Sequence, residues 1–163
     1  MQIRLPQSFE QQMQNILEAE YPDFAGAVLT PAPVSVRLNP AKYPKDSEGL
    51  FPESEAAPWH PDGRYLPERP VFTLDPLLHA GAYYVQEASS MFLFEALRQV
   101  SDLNGTHKVL DLCAAPGGKS TLLLAALPNS LLVSNEVIRT RTNSLRENLE
   151  RWGDPRTAVT SAE

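Results

Sequence analysis

Apolar side chains at the start of the chain recur at helical spacing. Phe9, Met13, Ile16 and Leu17 fall on one face, and Ser8 with Gln11, just after Pro6, forms a capping-box pattern that predicts the helix start. A short strand is predicted at Val34–Leu38. Over residues 43–70 proline, glycine, acids and aromatics follow one another too irregularly to assign elements, and Trp59 and Tyr65 are the anchors expected to pin this stretch to a core. Met91, Phe92, Leu93, Phe94, Leu97 and Val100 predict a helix packed on a sheet. The remainder is regular. Residues 108–112 predict a strand, 120–127 a helix and Leu131–Asn135 a second strand. Leu145, Leu149 and Trp152 then form the apolar stripe of a second helix, with Arg139, Arg141, Arg146 and Arg151 on its other face, and Thr157–Thr160 begins a third strand. A β-α-β-α-β run of this kind is half of a doubly wound parallel sheet, with a right-handed crossover at each step.

Punctuation divides the chain. Most of its 15 prolines fall between Pro22 and Pro76, and afterwards only Pro116, Pro128 and Pro155 remain, each at a turn between regular elements. The fold class expected is therefore α/β: a small α+β domain over residues 1–75, a linker near residues 70–78, and the first half of a Rossmann-like domain over residues 76–163. A hydrophobic content of 42% over 163 residues supports a real core.

Charge narrows the partners. The net charge is −6, and residues 1–75 hold six Lys and Arg against eleven acids, so that domain carries no evident phosphate-binding stripe and nonspecific nucleic-acid binding by this chain alone is disfavoured. The stripe of four arginines reads as a solvated helix face, with contact to RNA as the alternative. The polar, helical N-terminus reads as no signal peptide, and no apolar run approaches a membrane span, so no membrane partner is expected. One cysteine excludes an internal disulfide framework, and a cytoplasmic location is the expectation. Cys113 with His60, His79 and His107 shows no ligand spacing, so no metal site is expected and each histidine reads as a surface or packing residue.

The most informative stretch is Val109 to Thr121, V-L-D-L-C-A-A-P-G-G-K-S-T: a strand ending in an acid, a small-residue turn and a helix start. Gly117 and Gly118 lack Cβ atoms, so a ligand can approach the backbone, and the unpaired N–H groups of the helix's first turn point at it. A nucleoside-bearing cofactor suits such a turn. A phosphate-cradling P-loop needs glycine five positions before its Gly-Lys-Ser/Thr triplet; with Gly118-Lys119-Ser120 as the triplet that position is Cys113, and the loop also carries Pro116. A carboxylate follows the second strand at Glu136, roughly twenty residues past the glycines, where doubly wound folds place the acid that accepts ribose hydroxyls. Together these favour an adenosine cofactor without phosphates.

Asp111-Leu112-Cys113-Ala114-Ala115-Pro116-Gly117-Gly118-Lys119-Ser120 resembles motif I of the Sun (Fmu) family of RNA cytosine-C5 methyltransferases, which use S-adenosylmethionine. Upstream, the segment from His79 through Gln86-Glu87-Ala88-Ser89-Ser90-Met91 resembles the family's entry into its catalytic domain, and Ser35-Val36-Arg37-Leu38-Asn39-Pro40 its N-terminal domain. Pro58-Trp59 followed by Gly63-Arg64-Tyr65 is similar to the RsmF-like ribosomal-RNA branch, so the resemblance spans nearly the whole chain. It implies RNA, ribosomal RNA in particular, as substrate. It also implies a cofactor site made of Cys113, Ala114, Ala115, Pro116, Gly117, Gly118 and Lys119, with Glu136 on the ribose and Glu163 in the slot of a later cofactor-contacting acid.

Enzymes of this family attack cytosine C6 with a thiolate so that C5 can accept the methyl group. Their Pro-Cys and Thr-Cys loops have no counterpart in this chain, whose one cysteine falls in the cofactor loop. No catalytic residue is therefore assigned, and the chain alone is expected to be inactive. Cys113 itself reads as a small apolar side chain buried beside the loop. Lys119 suits the carboxylate end of the cofactor, or simply a solvated first turn. Two other functions stay in view: a non-catalytic module that holds cofactor or RNA, and a P-loop nucleotide-binding protein. A sheet of three strands would also leave residues 108–112 as an open edge available for self-association.

Overall fold

A computed structural model describes residues 4–43 and 49–163; residues 1–3 of the predicted N-terminal domain and 44–48 of its irregular stretch lie outside the described residues. The chain divides into two compact units, Met1–Pro33 and Val34–Glu163.

The first unit is a pair of helices, α1 (Gln7–Leu17) and α2 (Tyr21–Leu29), joined by a 3-10 turn at Glu18–Glu20. Phe9 and Phe24 place their ring centroids 6.2 Å apart. The capping box is not formed. Pro6 is the N-cap, its carbonyl takes the Glu10 N–H at 3.0 Å, and the proline's fixed φ starts the helix at Gln7, which puts Ser8 inside the first turn with no side-chain cap.

The second unit holds two sheets. One is antiparallel and four-stranded, in the order β2 (Glu55–Ala56), β3 (Gly63–Leu66), β1 (Val34–Leu38), β4 (Tyr83–Val85). Only β1 was legible in the sequence pattern, because β2 and β4 have two and three residues, too short for a period, and β3 lies within the irregular stretch of residues 43–70. The sheet runs across the suggested linker, since β4 pairs with β1 at Val36↔Val85 and Leu38↔Tyr83. A short helix, α3 (Pro76–His79), leads into β4 with the Asp75 carboxylate capping the Leu77 N–H at 2.9 Å. Val36 and Leu38 pack with Leu66, Phe72, Ala82 and Tyr83 into an apolar core.

The polar side of β1 is buried at Ser35 and Arg37, and the segment just after the strand is tied to later backbone. Asn39 donates to the carbonyls of Gly81 and Trp152 at 3.0 Å each, and the Lys42 ammonium donates to those of Ala80 at 2.8 Å and Arg151 at 2.7 Å.

The second sheet is parallel, in the order β5 (Lys108–Asp111), β6 (Leu131–Asn135), β7 (Thr157–Thr160). Helix α6 (Gly118–Ala126) connects the first pair and α7 (Arg139–Trp152) the second. Because the strand order steps in one direction, right-handed crossovers put both helices on one face. There Leu124, Leu132, Leu145, Leu149 and Trp152 form a core. Leu110 (59% exposed), Leu112 (63%) and Leu131 (55%) keep much of their surface in solvent, and among the described residues no strand pairs with the outer edge of β5.

The predicted helix from Met91 to Val100 is two helices, α4 (Ala88–Met91) and α5 (Leu93–Val100), interrupted at Phe92. Met91 and the half-buried Leu93, Phe94 and Leu97 pack against Leu122, Ala126 and Leu127 of α6 and its end rather than directly on a sheet, while Val100 is 81% exposed. Trp59 is an anchor as expected: its indole N–H donates to the Ala88 carbonyl at 2.7 Å, and its ring meets Phe92 edge-on.

Candidate cofactor site

The loop after β5 is held at both ends. The Ser120 hydroxyl donates to Asp111 Oδ2 at 2.7 Å, and the Ala114 N–H donates to the Asn135 carbonyl at 2.9 Å, tying the loop to the end of β6. Ala114 and Ala115 point into the core, and the Ala115–Pro116 peptide is cis. Gly117 N-caps α6 at φ 110°, a conformation that favours glycine.

Gly117 is required by its backbone conformation, whereas space alone does not require Gly118. A Cβ on Gly118 would lie 3.4 Å from both the Gln86 amide nitrogen and the Tyr84 ring, and one on Gly117 would lie 3.4 Å from Leu145 Cδ1. These are ordinary van der Waals distances, so neighbouring side chains cover one side of the loop without crowding the glycines.

A cavity of about 240 Å³ lies between this loop and the segment after β4, lined by Tyr84, Val85, Gln86, Glu87 and Ser90 on one side and by Cys113, Ala114, Ala115, Pro116, Gly118 and Lys119 on the other. Cys113 is exposed rather than buried, because Ala114 and Ala115 take the inward positions and leave the thiol on the open side of the turn. Lys119 is exposed in the first turn of α6. Burial pushes the Tyr84 phenol up from its ordinary pKa, against the opposing fields of Arg37 and Arg151, so this wall carries a neutral hydroxyl.

Glu136 follows β6 directly and is only 3% exposed. Its Oε1 accepts the Ile138 N–H at 3.0 Å, so that oxygen is already engaged. Its Oε2 is buried without a hydrogen bond, 3.4 Å from Arg141 Nη1, and Arg141 Nη2 donates to the Ala115 carbonyl at 2.8 Å. Arg141 therefore bridges the carboxylate to the loop, although Glu136 does not line the cavity itself. Glu163 is exposed and joins none of these bonds; the Asn135 side chain brackets the preceding Ala162, accepting its N–H at 2.9 Å and donating to its carbonyl at 3.0 Å. The structure thus gathers residues 113–119, brings Glu136 to them through one arginine, and leaves Glu163 exposed at the same strand end.

Sequence reasoning passed over Tyr84, Gln86, Glu87, Ser90 and Arg141. The first four sit in a segment that carries only a family resemblance, and Arg141 lies in the same arginine stripe as Arg139 and Arg146. Among the described residues, no three His, Cys, Asp or Glu side chains cluster as a metal group would, and no helix is long and apolar enough to cross a membrane.

Residues 5–88 match the family described as the N-terminal domain of 16S rRNA methyltransferase RsmF, and residues 99–163 match 16S rRNA methyltransferase RsmB/F. The chain belongs to the RsmF family. Ribosomal RNA small subunit methyltransferase F of Pectobacterium atrosepticum is 34% identical over 168 residues, covering 96% of this chain and 34% of that relative. The chain thus spans about a third of the length of the curated RsmF relatives it matches. Among solved structures, a methyltransferase homolog from Pyrococcus horikoshii is similar at a TM-score of 0.72 and 26% identity, over 98% of this chain and 57% of that one. NSun6 from Pyrococcus horikoshii, solved with SFG, shares the fold at a TM-score of 0.75 and 14% identity, over 97% of this chain and 65% of that one. The RsmF assignment agrees with the branch that the loop and the upstream segments resemble, and the parallel sheet is the Rossmann-like half expected from the pattern.

Proposed function

We propose that this chain holds S-adenosylmethionine for methyl transfer to cytosine C5 of ribosomal RNA, the reaction implied by its family. The observation that carries the reading is Glu136 Oε2, a buried carboxylate oxygen without a hydrogen bond, at the end of the second parallel strand and one arginine away from the loop. A buried acceptor left unsatisfied is costly, and a ribose hydroxyl would satisfy it. The residues present fit the group. Backbone of Cys113, Ala114, Ala115, Pro116, Gly117, Gly118 and Lys119 would hold the cofactor, Glu136 its ribose, and Glu163 a further polar edge. Bound S-adenosylmethionine supplies an electrophilic methyl on a sulfonium. Gly118 presents a first-turn N–H group, that of Gly117 being donated to the Ala114 carbonyl at 2.7 Å, Glu136 orients through one oxygen while the other stays fixed by Ile138, and Tyr84 and Gln86 wall the loop. The SFG seen with NSun6 is an analogue of this cofactor, which supports the cofactor class.

The thiolate for cytosine C6 is not assigned to this chain, since its one cysteine, Cys113, sits in the cofactor loop, and methyl transfer by the chain alone is not expected. RNA would be engaged in the cytoplasm, chiefly by residues beyond these. Calorimetric titration of the chain with S-adenosylhomocysteine and with ATP tests the reading. Binding of the first and not the second is expected; binding of ATP alone, or of neither, overturns it.

A further inference from the structure

Arg37 is fully buried, and four neutral oxygens take its hydrogen bonds. Its Nε donates to Gln86 Oε1 at 2.8 Å, its Nη2 to Thr121 Oγ1 at 2.6 Å and the Gly118 carbonyl at 3.3 Å, and its Nη1 to the Thr121 carbonyl at 3.5 Å. The Trp152 ring lies beneath the guanidinium, 4.6 Å from centroid to Cζ. The field of Asp62 favours the charge of Arg37 but offsets only part of the cost of burial. A cation at the N-terminal end of α6 is repelled by the positive end of the helix dipole, and a buried charge is costly to desolvate. Burial lowers its pKa to about 9, which still leaves it protonated near neutral pH.

What Arg37 holds explains the position. Gly118 and Thr121 belong to the first turn of α6, which faces the cavity, and Gln86 forms the opposite wall. Accepting from Arg37 through Oε1 fixes the orientation of the Gln86 amide, so its Nε2 donates back to the Gly118 carbonyl at 3.3 Å. One guanidinium therefore sets both walls at once, from a strand of the antiparallel sheet. We propose that Arg37 is the positioning residue of this site, its planar fork fixing the spacing between the loop's first helical turn and Gln86. This rests on the cofactor reading given above.

The test is S-adenosylhomocysteine affinity by calorimetry on the chain, with folding checked by circular dichroism, for Arg37→Lys, Thr121→Val and Thr121→Ser. Arg37→Lys keeps the charge and loses the fork, and is expected to bind about tenfold more weakly, the scale of one lost hydrogen bond to a charged group. Thr121→Val keeps the side-chain shape and loses the acceptor, whereas Thr121→Ser keeps the acceptor and loses a methyl. Affinity is expected to follow the hydroxyl, with Ser within about threefold of the unchanged chain and Val about tenfold weaker. The Thr121 hydroxyl also donates to the Gly117 carbonyl at 2.9 Å, so a purely structural role predicts that urea midpoints follow the hydroxyl while the affinity of the folded chain does not. Affinity per folded molecule that is equal in Thr121→Val and Thr121→Ser, or unchanged in Arg37→Lys, overturns the proposal. If Arg37→Lys does not fold, the Thr121 pair decides it. No binding by the unchanged chain would instead fell the cofactor reading, and the role of Arg37 with it.

Discussion

Replacing Glu136 by Gln separates the fold from the ligand. The side chain keeps its shape, and its carbonyl can still accept the Ile138 N–H now bonded at 3.0 Å. What changes is the second position: a buried acceptor without a hydrogen bond becomes an amide donor 3.4 Å from the Arg141 guanidinium. Arg141 is 52% exposed, so solvent screens the lost ion pair, and the unliganded protein should change by less than about 1 kcal/mol. The liganded protein loses a hydrogen bond from a ribose hydroxyl to a charged acceptor, about 1.5–3 kcal/mol, or roughly 10- to 150-fold in affinity. Urea midpoints and calorimetric titrations with S-adenosylhomocysteine measure the two effects side by side. Affinity within twofold of the unchanged chain would refute the ribose assignment. A stability loss as large as the affinity loss would refute the claim that Oε2 is held for a ligand.

Gly81→Ala places a Cβ 1.9 Å from the Arg151 carbonyl oxygen at a φ of +72°, so the strand entry or the end of α7 must move; a urea titration should show a loss of about 3 kcal/mol or more, and a loss under 1 kcal/mol would contradict the packing described. His60 is held neutral, its pKa lowered to about 4 by burial first and by the fields of Arg37 and Arg64 second, while its ring lies 4.8 Å from Phe94. Its folded pKa lies below its ordinary value of 6.5, so the unfolded chain binds the proton first; this contribution to stability should fall as pH drops from about 6.5 to about 4, by up to about 1.4 kcal/mol per pH unit, and His60→Asn should remove that slope in thermal melts run across the window. An exposed apolar edge at β5 predicts self-association by sedimentation velocity, relieved by Leu110→Lys; a monomer at all concentrations, or no response to the substitution, would show that the edge is inert.

The parallel half was readable because its helices and its five-residue strand are long enough to carry a pattern and bracket the shorter strands. Leu131–Asn135 stands where an apolar run placed it, four-residue Thr157–Thr160 follows from the helix before it, and the loop's composition pointed to its turn. The antiparallel sheet was not, since two-residue β2 and three-residue β4 exist only through pairing with distant strands. The polar positions in and just after β1 mislead for another reason. Ser35, Arg37 and Asn39 alternate with Val36 and Leu38 as a solvent face would, yet all three are buried, because their partners are backbone groups and side chains of later segments. Arg141 shows the same limit at the site. Nothing local separates it from Arg139 and Arg146, and only the arrival of Glu136 and Ala115 beside it gives it a role.

The bonds from β1 to the later helices also set an order of events during synthesis. Arg37 waits for Thr121, 84 residues on, Lys42 for the Arg151 carbonyl, 109 residues on, and Asn39 for the Trp152 carbonyl, 113 residues on. At a ribosomal rate of about 5–20 residues per second, the first strand made spends roughly 5–20 s with its polar face uncovered before α7 has emerged. An arginine suits the first part of that interval. Its charge favours water while Gln86 and α6, which carry its acceptors, are still being translated, and it is buried once α6 arrives, before α7 closes over Asn39.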